Sequence, residues 1–250
     1  MIFKLLLLSS ILLIDVLTSF SSFVPTPAEK IPTECSTRCL TPYGSVLGTF
    51  DGVPGYSNCN DECINFDDIG VTLAKNETGF IDDVYAGVRW QCVEYARRYL
   101  ITRRHVTFES IDAAYQIFNL SCLTDLTNAR TFARFLGFKN GATQTPPSIG
   151  DLVIFLKTNE APYGHVAVVA GVNLKKGYVE IAEQNINEPW ENPSLYSRRI
   201  SIFAKKGMYY VQETLWNGKN IFSREKANEV IGWKRVGEFR NTTSAHSMCP

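Results

Sequence analysis

An excess of charge of either sign is what this sequence lacks: over 250 residues, 25 lysines and arginines stand against 25 aspartates and glutamates. Nucleic acids and anionic membranes are met with surplus cation, so neither is an expected partner. Histidine is scarce. His105, His165 and His246 are scattered along the chain, and with most cysteines assignable to bridges no zinc-binding set emerges. No metal or other cofactor is expected. Internal repeats and low-complexity tracts are missing too, which argues against a solenoid.

Long apolar runs are confined to the first residues. MIFKLLLLSSILLIDVLTSFSS has Lys4, an apolar run to Leu17, then small residues. This is the form of a secretory signal peptide over residues 1–21, with Ser19-Phe20-Ser21 as cleavage region. The alternative is an uncleaved anchor, but the run is short for a bilayer and Asp15 interrupts it. A secreted, extracellular or lysosome-like location follows, with no stable membrane insertion after cleavage. Sequons at Asn76, Asn119 and Asn241 are glycosylation candidates in that setting.

An oxidising compartment makes the seven cysteines informative. Cys35-x3-Cys39 and Cys59-x3-Cys63 form two rungs of a local staple, paired 35–63 with 39–59 or 35–59 with 39–63. Cys122 and Cys249 supply a third bridge that ties down the tail. Seven is odd, so one thiol is left over. If those six pair, it is Cys92; the alternative bridges Cys92 and frees Cys122 or Cys249. Residues 22–41 comprise a Pro-containing linker and the start of the stapled segment.

The body divides in two. Residues 89 to 138 carry helical patterns: one opens near Cys92, a second is capped by Ser110 with Ile111, Ala114, Tyr115 and Phe118 on one face, and a third spans Thr124 to Phe138. From Pro146 onward strands are expected at Leu152–Leu156, His165–Ala170, Tyr178–Glu183, Arg199–Phe203, Met208–Gln212 and Glu229–Arg235. Helices followed by a run of antiparallel strands give an α+β domain.

Arg89-Trp90-Gln91-Cys92-Val93-Glu94-Tyr95-Ala96-Arg97-Arg98-Tyr99-Leu100 reads as the opening of a helix, with Val93, Ala96, Tyr99 and Leu100 on an apolar face. Cys92, in its first turn, is a disulfide half, a packing residue or a nucleophile. A helix N-terminus favours thiolate over thiol and offers free N–H groups. The Cys92 N–H and the Gln91 side chain are candidates for an oxyanion hole.

A base is then needed. His105 sits in a charged stretch and His246 in the polar tail, whereas His165 opens an apolar strand after Gly164. It is a base or a hydrogen-bonded core residue. Alternation places Glu183 with Val179 and Ile181 on one face, from which it can orient His165 or stand exposed at the rim. Asn185 is an alternative orienter.

The segments Trp90-Gln91-Cys92-Val93-Glu94-Tyr95-Ala96-Arg97-Arg98, Gly164-His165-Val166-Ala167 and Ala182-Glu183-Gln184-Asn185 together resemble the signatures of the CHAP superfamily of cysteine, histidine-dependent amidohydrolases/peptidases. The sequence is similar to the amidase domain of glutathionylspermidine synthetase/amidase and to the trypanosomatid D-alanyl-glycyl endopeptidase-like proteins. Tyr43-Gly44-Ser45-Val46-Leu47-Gly48 and Ile231-Gly232-Trp233 resemble the ends of that domain. The domain is therefore bounded at 42–238, leaving 239–250 as a C-terminal tail.

The resemblance implies a papain-like α+β fold, with N-terminal helices packed on an antiparallel sheet. It implies Cys92 as nucleophile, His165 as base and Glu183 as orienting carboxylate. Arg97 matches an arginine near the substrate carboxylate in the amidase family; on pattern alone it is a solvated helix charge. The absence of an ATP-grasp pattern and the signal-like N-terminus argue for amide hydrolysis in bacterial peptidoglycan peptides by a monomer. The alternatives are hydrolysis of a glutathione–polyamine amide and a secreted binding module without turnover.

Overall fold

Runs of Val, Ile and aromatic residues account for most of the regular structure, as their preference for a pleated, half-buried surface predicts. The computed structural model describes residues 39–59, 63–76, 79–159, 161–185, 189–215 and 229–241. Two hairpins come first: β1 (Val46–Phe50) with β2 (Val53–Tyr56), and β3 (Ile69–Asn76) with β4 (Gly79–Val88). Helix α1 (Cys92–Arg104) follows, then β5 (Val106–Thr107), a 3-10 helix (Ala114–Asn119), β6 (Cys122–Asp125) and β7 (Thr131–Lys139). The second half holds β8 (Leu152–Phe155), β9 (His165–Asn173), β10 (Tyr178–Ala182), β11 (Arg198–Lys205), β12 (Met208–Leu215) and β13 (Val230–Asn241).

Nine strands form one antiparallel sheet in the order β12-β11-β10-β9-β8-β13-β7-β6-β5. Both faces of its centre are buried. On β8, Leu152 and Ile154 join Tyr95, Tyr99 and Leu100 of α1, whereas Val153 and Phe155 join Val179, Ile181, Ile200 and Trp233 on the other side. Each such side chain contributes about 1.5–3 kcal/mol on burial. The fold class is α+β, with fewer helices than the sequence suggests.

The expected helix at Thr124–Phe138 is instead β6 and β7. Ala133 and Phe135 are buried with the exposed Arg134 between them, the alternation of a strand. Asp125 also closes the intervening turn, accepting hydrogen bonds from Thr127 N (2.8 Å) and Thr127 Oγ1 (2.7 Å), which competes with helix. The helix expected from Ser110 is the six-residue 3-10 helix, entered at Ala113, where Gln116 Oε1 accepts from the N–H groups of Asp112 (2.9 Å) and Ala113 (3.1 Å).

α1 forms where expected and stops at His105, whose left-handed backbone (φ 54°) lets its N–H return to Leu100 and Ile101 carbonyls. Arg103 and Arg104 in the last turn suit the helix dipole. Its polar face is not solvated, however. Glu94, Arg97 and Arg98 are all buried, because β1–β2 and β3–β4 pack over the helix.

Cys39 and Cys59 are bonded to each other, which excludes the 35–59/39–63 alternative. Cys63 and Cys122 are disulfide-bonded as well. Cys92 is the free cysteine among the described residues, while Cys35 and Cys249 lie outside them. The signal region, the linker and the tail beyond Asn241 also lie outside. Of the sequons, Asn119 and Asn241 are exposed and Asn76 ends β3. No helix among the described residues is long and apolar enough to cross a membrane.

Candidate active site

Gln91 is extended (φ −81°, ψ 158°), and the chain turns into α1 at Cys92. The first N–H groups of a helix have no acceptor within it, so they face whatever lies beyond the sulfur. The Gln91 amide donates one hydrogen to the Cys63 carbonyl (2.9 Å), which anchors the helix start to the disulfide-bonded segment. Cys92 itself is 6% exposed.

His165 opens β9 opposite Phe155, the last residue of β8. The preceding Gly164 has φ +65°, and a Cβ there would fall 2.6 Å from the Phe155 carbonyl oxygen. Glycine therefore lets the chain deliver the imidazole at this point. His165 Nε2 lies 2.8 Å from Glu183 Oε2, and the Cys92 thiol lies close enough to the ring to act on its protonation. With Nε2 turned to the carboxylate, Nδ1 is the nitrogen left for the sulfur.

Glu183 follows β10 directly and is fully buried. Its Oε1 accepts from Ser197 Oγ (3.0 Å) and Arg198 Nε (2.7 Å), and its Oε2 accepts from His165 and from the Arg198 terminal nitrogen Nη2 (3.2 Å). Burial pushes the carboxyl up, but the Arg198 charge and the bonds from His165 and Arg198 hold it well below the usual carboxylate range. His165 is pushed up to about 10: burial opposes protonation, and the charge and hydrogen bond of Cys92, followed by those of Glu183, outweigh it.

One residue further on, Gln184 ties the frame. Its Nε2 donates to the Gln91 carbonyl (3.1 Å) and to Glu94 Oε2 (2.6 Å), while its Oε1 accepts from Tyr56 N (2.9 Å) and Arg98 Nη2 (3.2 Å). Trp190 Nε1 donates to the Glu183 carbonyl (2.9 Å), and the indole meets Tyr95 edge-on.

The other candidates are placed differently. Asn185 does not take the orienting role; its Oδ1 accepts from Asn58 Nδ2, and Glu183 holds the histidine. Arg97 is 1% exposed, not solvated, and donates to the carbonyls of Ala86 (2.9 Å) and Glu109 (3.0 Å) beneath the Tyr85 and Phe108 rings. As placed, it binds main chain rather than lining an open surface. Sequence reasoning missed Arg198, Ser197, Gln184 and Trp190. Their one signal was the Arg198-Arg199 pair entering a strand, where alternation turns the two to opposite faces; Arg199 binds Glu180 (2.7 Å).

Residues 83–185 match the CHAP domain. That span contains Cys92, His165 and Glu183. The match supports a hydrolase of amide bonds. Among relatives, the bifunctional glutathionylspermidine synthetase/amidase of Escherichia coli (strain K12) is 32% identical over 180 residues, 69% of this chain and 27% of that protein. The trypanothione synthetase of Crithidia fasciculata is 29% identical over 186 residues, 74% of this chain and 26% of that protein. The glutathionylspermidine synthase of the same organism is 32% identical over 173 residues, 64% of this chain and 23% of that protein. The chain thus spans about a quarter of the length of the curated relatives it matches.

Proposed function

We propose that the chain is an exported cysteine amidohydrolase that cleaves amide bonds through a thioester on Cys92. The observation that carries the reading is the buried series Cys92–His165–Glu183, with a 2.8 Å bond between imidazole and carboxylate. The Cys92 thiolate attacks the carbonyl carbon. The Cys92 N–H and Gln91 stabilise the oxyanion. His165, held by Glu183, gives its proton to the leaving amine as the C–N bond breaks. The imidazole then takes a proton from water, whose oxygen displaces the sulfur and releases the acid.

An exported protein meets its substrate outside the cytosol, and the disulfide-bonded cysteines fit that setting. Peptide stems or cross-links of bacterial peptidoglycan are therefore the proposed substrate. A second reading, hydrolysis of a glutathione–polyamine amide, is favoured by similarity to a glutathionylspermidine synthetase/amidase.

The test incubates the chain and its Cys92→Ala variant with purified peptidoglycan and reads released fragments by mass spectrometry. New amine termini from the wild type alone are expected. No release from peptidoglycan, with turnover of glutathionylspermidine, selects the second reading. Binding without cleavage of either substrate class identifies a binding module and sinks the hydrolase.

A further inference from the structure

The hydrogen-bonded chain that begins at His165, beside Cys92, does not stop at Glu183. It continues through Arg198 on β11 to Glu213 on β12, whose Oε1 accepts from Arg198 Nη2 at 2.8 Å. We propose that Arg198 is a positioning residue for the hydrolysis, clamping both oxygens of Glu183 so that the carboxylate stays ionised and aimed at His165 Nε2. This rests on the cysteine-hydrolase reading above.

The geometry of the clamp is specific to arginine. Nε takes Oε1 at 2.7 Å and Nη2 takes Oε2 at 3.2 Å, so one planar fork spans the carboxylate and fixes its plane. A lysine ammonium carries the charge but not the fork. Glu213, its side chain 12% exposed, accepts from the same Nη2 that reaches Glu183 Oε2 and so sets the direction of the fork. Ile181, on β10, is the register partner of Arg198, which brings the guanidinium level with the end of β10, where Glu183 follows.

Glu183 needs this cation. Its side chain is fully buried, and a carboxylate so placed takes up a proton unless a charge opposes it. Ser197 Oγ offers a neutral hydrogen bond only. The groups that face the cluster are Cys92 and Tyr95 from α1, His165 from β9, Glu191 from the loop after β10, Arg198 from β11 and Glu213 from β12. Arg198 and His165 are the positively charged groups that bond Glu183 among the described residues, and Arg199 beside them is turned to Glu180. Without Arg198, the stabilisation of the imidazolium by Glu183 would depend on the very proton it is meant to retain. A neutral Glu183 no longer favours the protonated imidazole, so the His165 pKa falls.

The test follows the His165 ring through pH by NMR in the full chain, its signals identified by their loss in His165→Ala. Arg198→Met is expected to lower the His165 titration by about one pH unit or more and to move the alkaline limb of the hydrolysis profile down with it. In a Glu183→Gln background the same substitution is expected to shift nothing further, since Arg198 acts through that carboxylate. A folded Arg198→Met chain whose His165 titrates with the wild type, at whatever cost in Tm, overturns the proposal. Should Arg198→Met not fold, Arg198→Lys decides: a smaller downward shift with lowered kcat supports the clamp, and an unchanged titration and kcat overturn it. A wild type that hydrolyses nothing would count against the hydrolase reading, while the histidine titration would still report on Arg198.

Discussion

Two buried carboxylate–arginine clusters meet at neighbouring residues, Glu183 and Gln184, and they use charge in opposite ways. In the second, Arg98 Nε bonds Glu94 Oε1 at 2.6 Å, its Nη1 bonds the Pro54 carbonyl at 2.8 Å, and Gln184 bridges acid and base. The guanidinium also lies against the rings of Tyr56, Trp90 and Tyr95. Its bonds close on one another and on main chain, so the cluster fixes β1–β2 and Gln184 against α1. The Glu183 cluster has the same ingredients but ends on an imidazole and a thiol. A buried ion pair can take part in a proton relay when its chain of bonds reaches an imidazole, which can both give and take a proton.

Breaking the open cluster should cost the most. Glu183→Gln keeps the shape and removes the charge, and kcat is expected to fall about 10³–10⁴-fold, in line with loss of the orienting carboxylate in other hydrolytic triads. Steady-state kinetics with thermal melts check it; a well-folded variant of near-normal kcat would remove Glu183 from the mechanism.

The closed cluster should break differently. Glu94→Leu leaves Arg98 buried beside an apolar side chain and is expected to destabilise by about 3–5 kcal/mol. Adding Arg98→Met should return most of that loss, because desolvation of the unpaired cation disappears. Urea titrations of the single and double variants measure it, and additive losses would show that the pair's worth lies in packing instead.

The smallest effect is a pH dependence that separates the two. His165 titrates near 10 when folded against 6.5 unperturbed. Its contribution to stability is complete below about 6.5 and is lost as pH rises towards 10. Glu183, held below its ordinary range, contributes above its unfolded value and loses that as pH falls. Tm measured upward from pH 6.5 is therefore expected to decline in the wild type and to decline less in Glu183→Gln. Equal slopes would place the titration elsewhere.

Much of this was legible in the chain. The apolar runs at Leu152–Leu156 and His165–Ala170 and the alternation over Tyr178–Glu183 predicted three central strands, and Gln91-Cys92 predicted the start of α1. Alternation put Glu183 on the face of Val179 and Ile181 but left open whether it would stand at the rim; the structure buries it. Thr131–Lys139 misled because its apolar residues satisfy both a helical and a two-residue spacing, and the Asp125 turn decided between them. Arg97 read as a solvated charge because nothing local announces that two hairpins will cover the helix.

Local chemistry thus determined which residues were candidates: a thiol at a helix start, an imidazole after a glycine, a carboxylate on an apolar face. Those choices depend on backbone sterics and side-chain period, which act over a few residues. Only the tertiary structure decided which partners they meet. Arg198 reaches Glu183 through the register of β10 with β11, and Gln184 reaches Glu94 across 90 residues of chain. Such contacts are set by how layers pack, because an isolated strand or helix carries no information about the charge its neighbour will present.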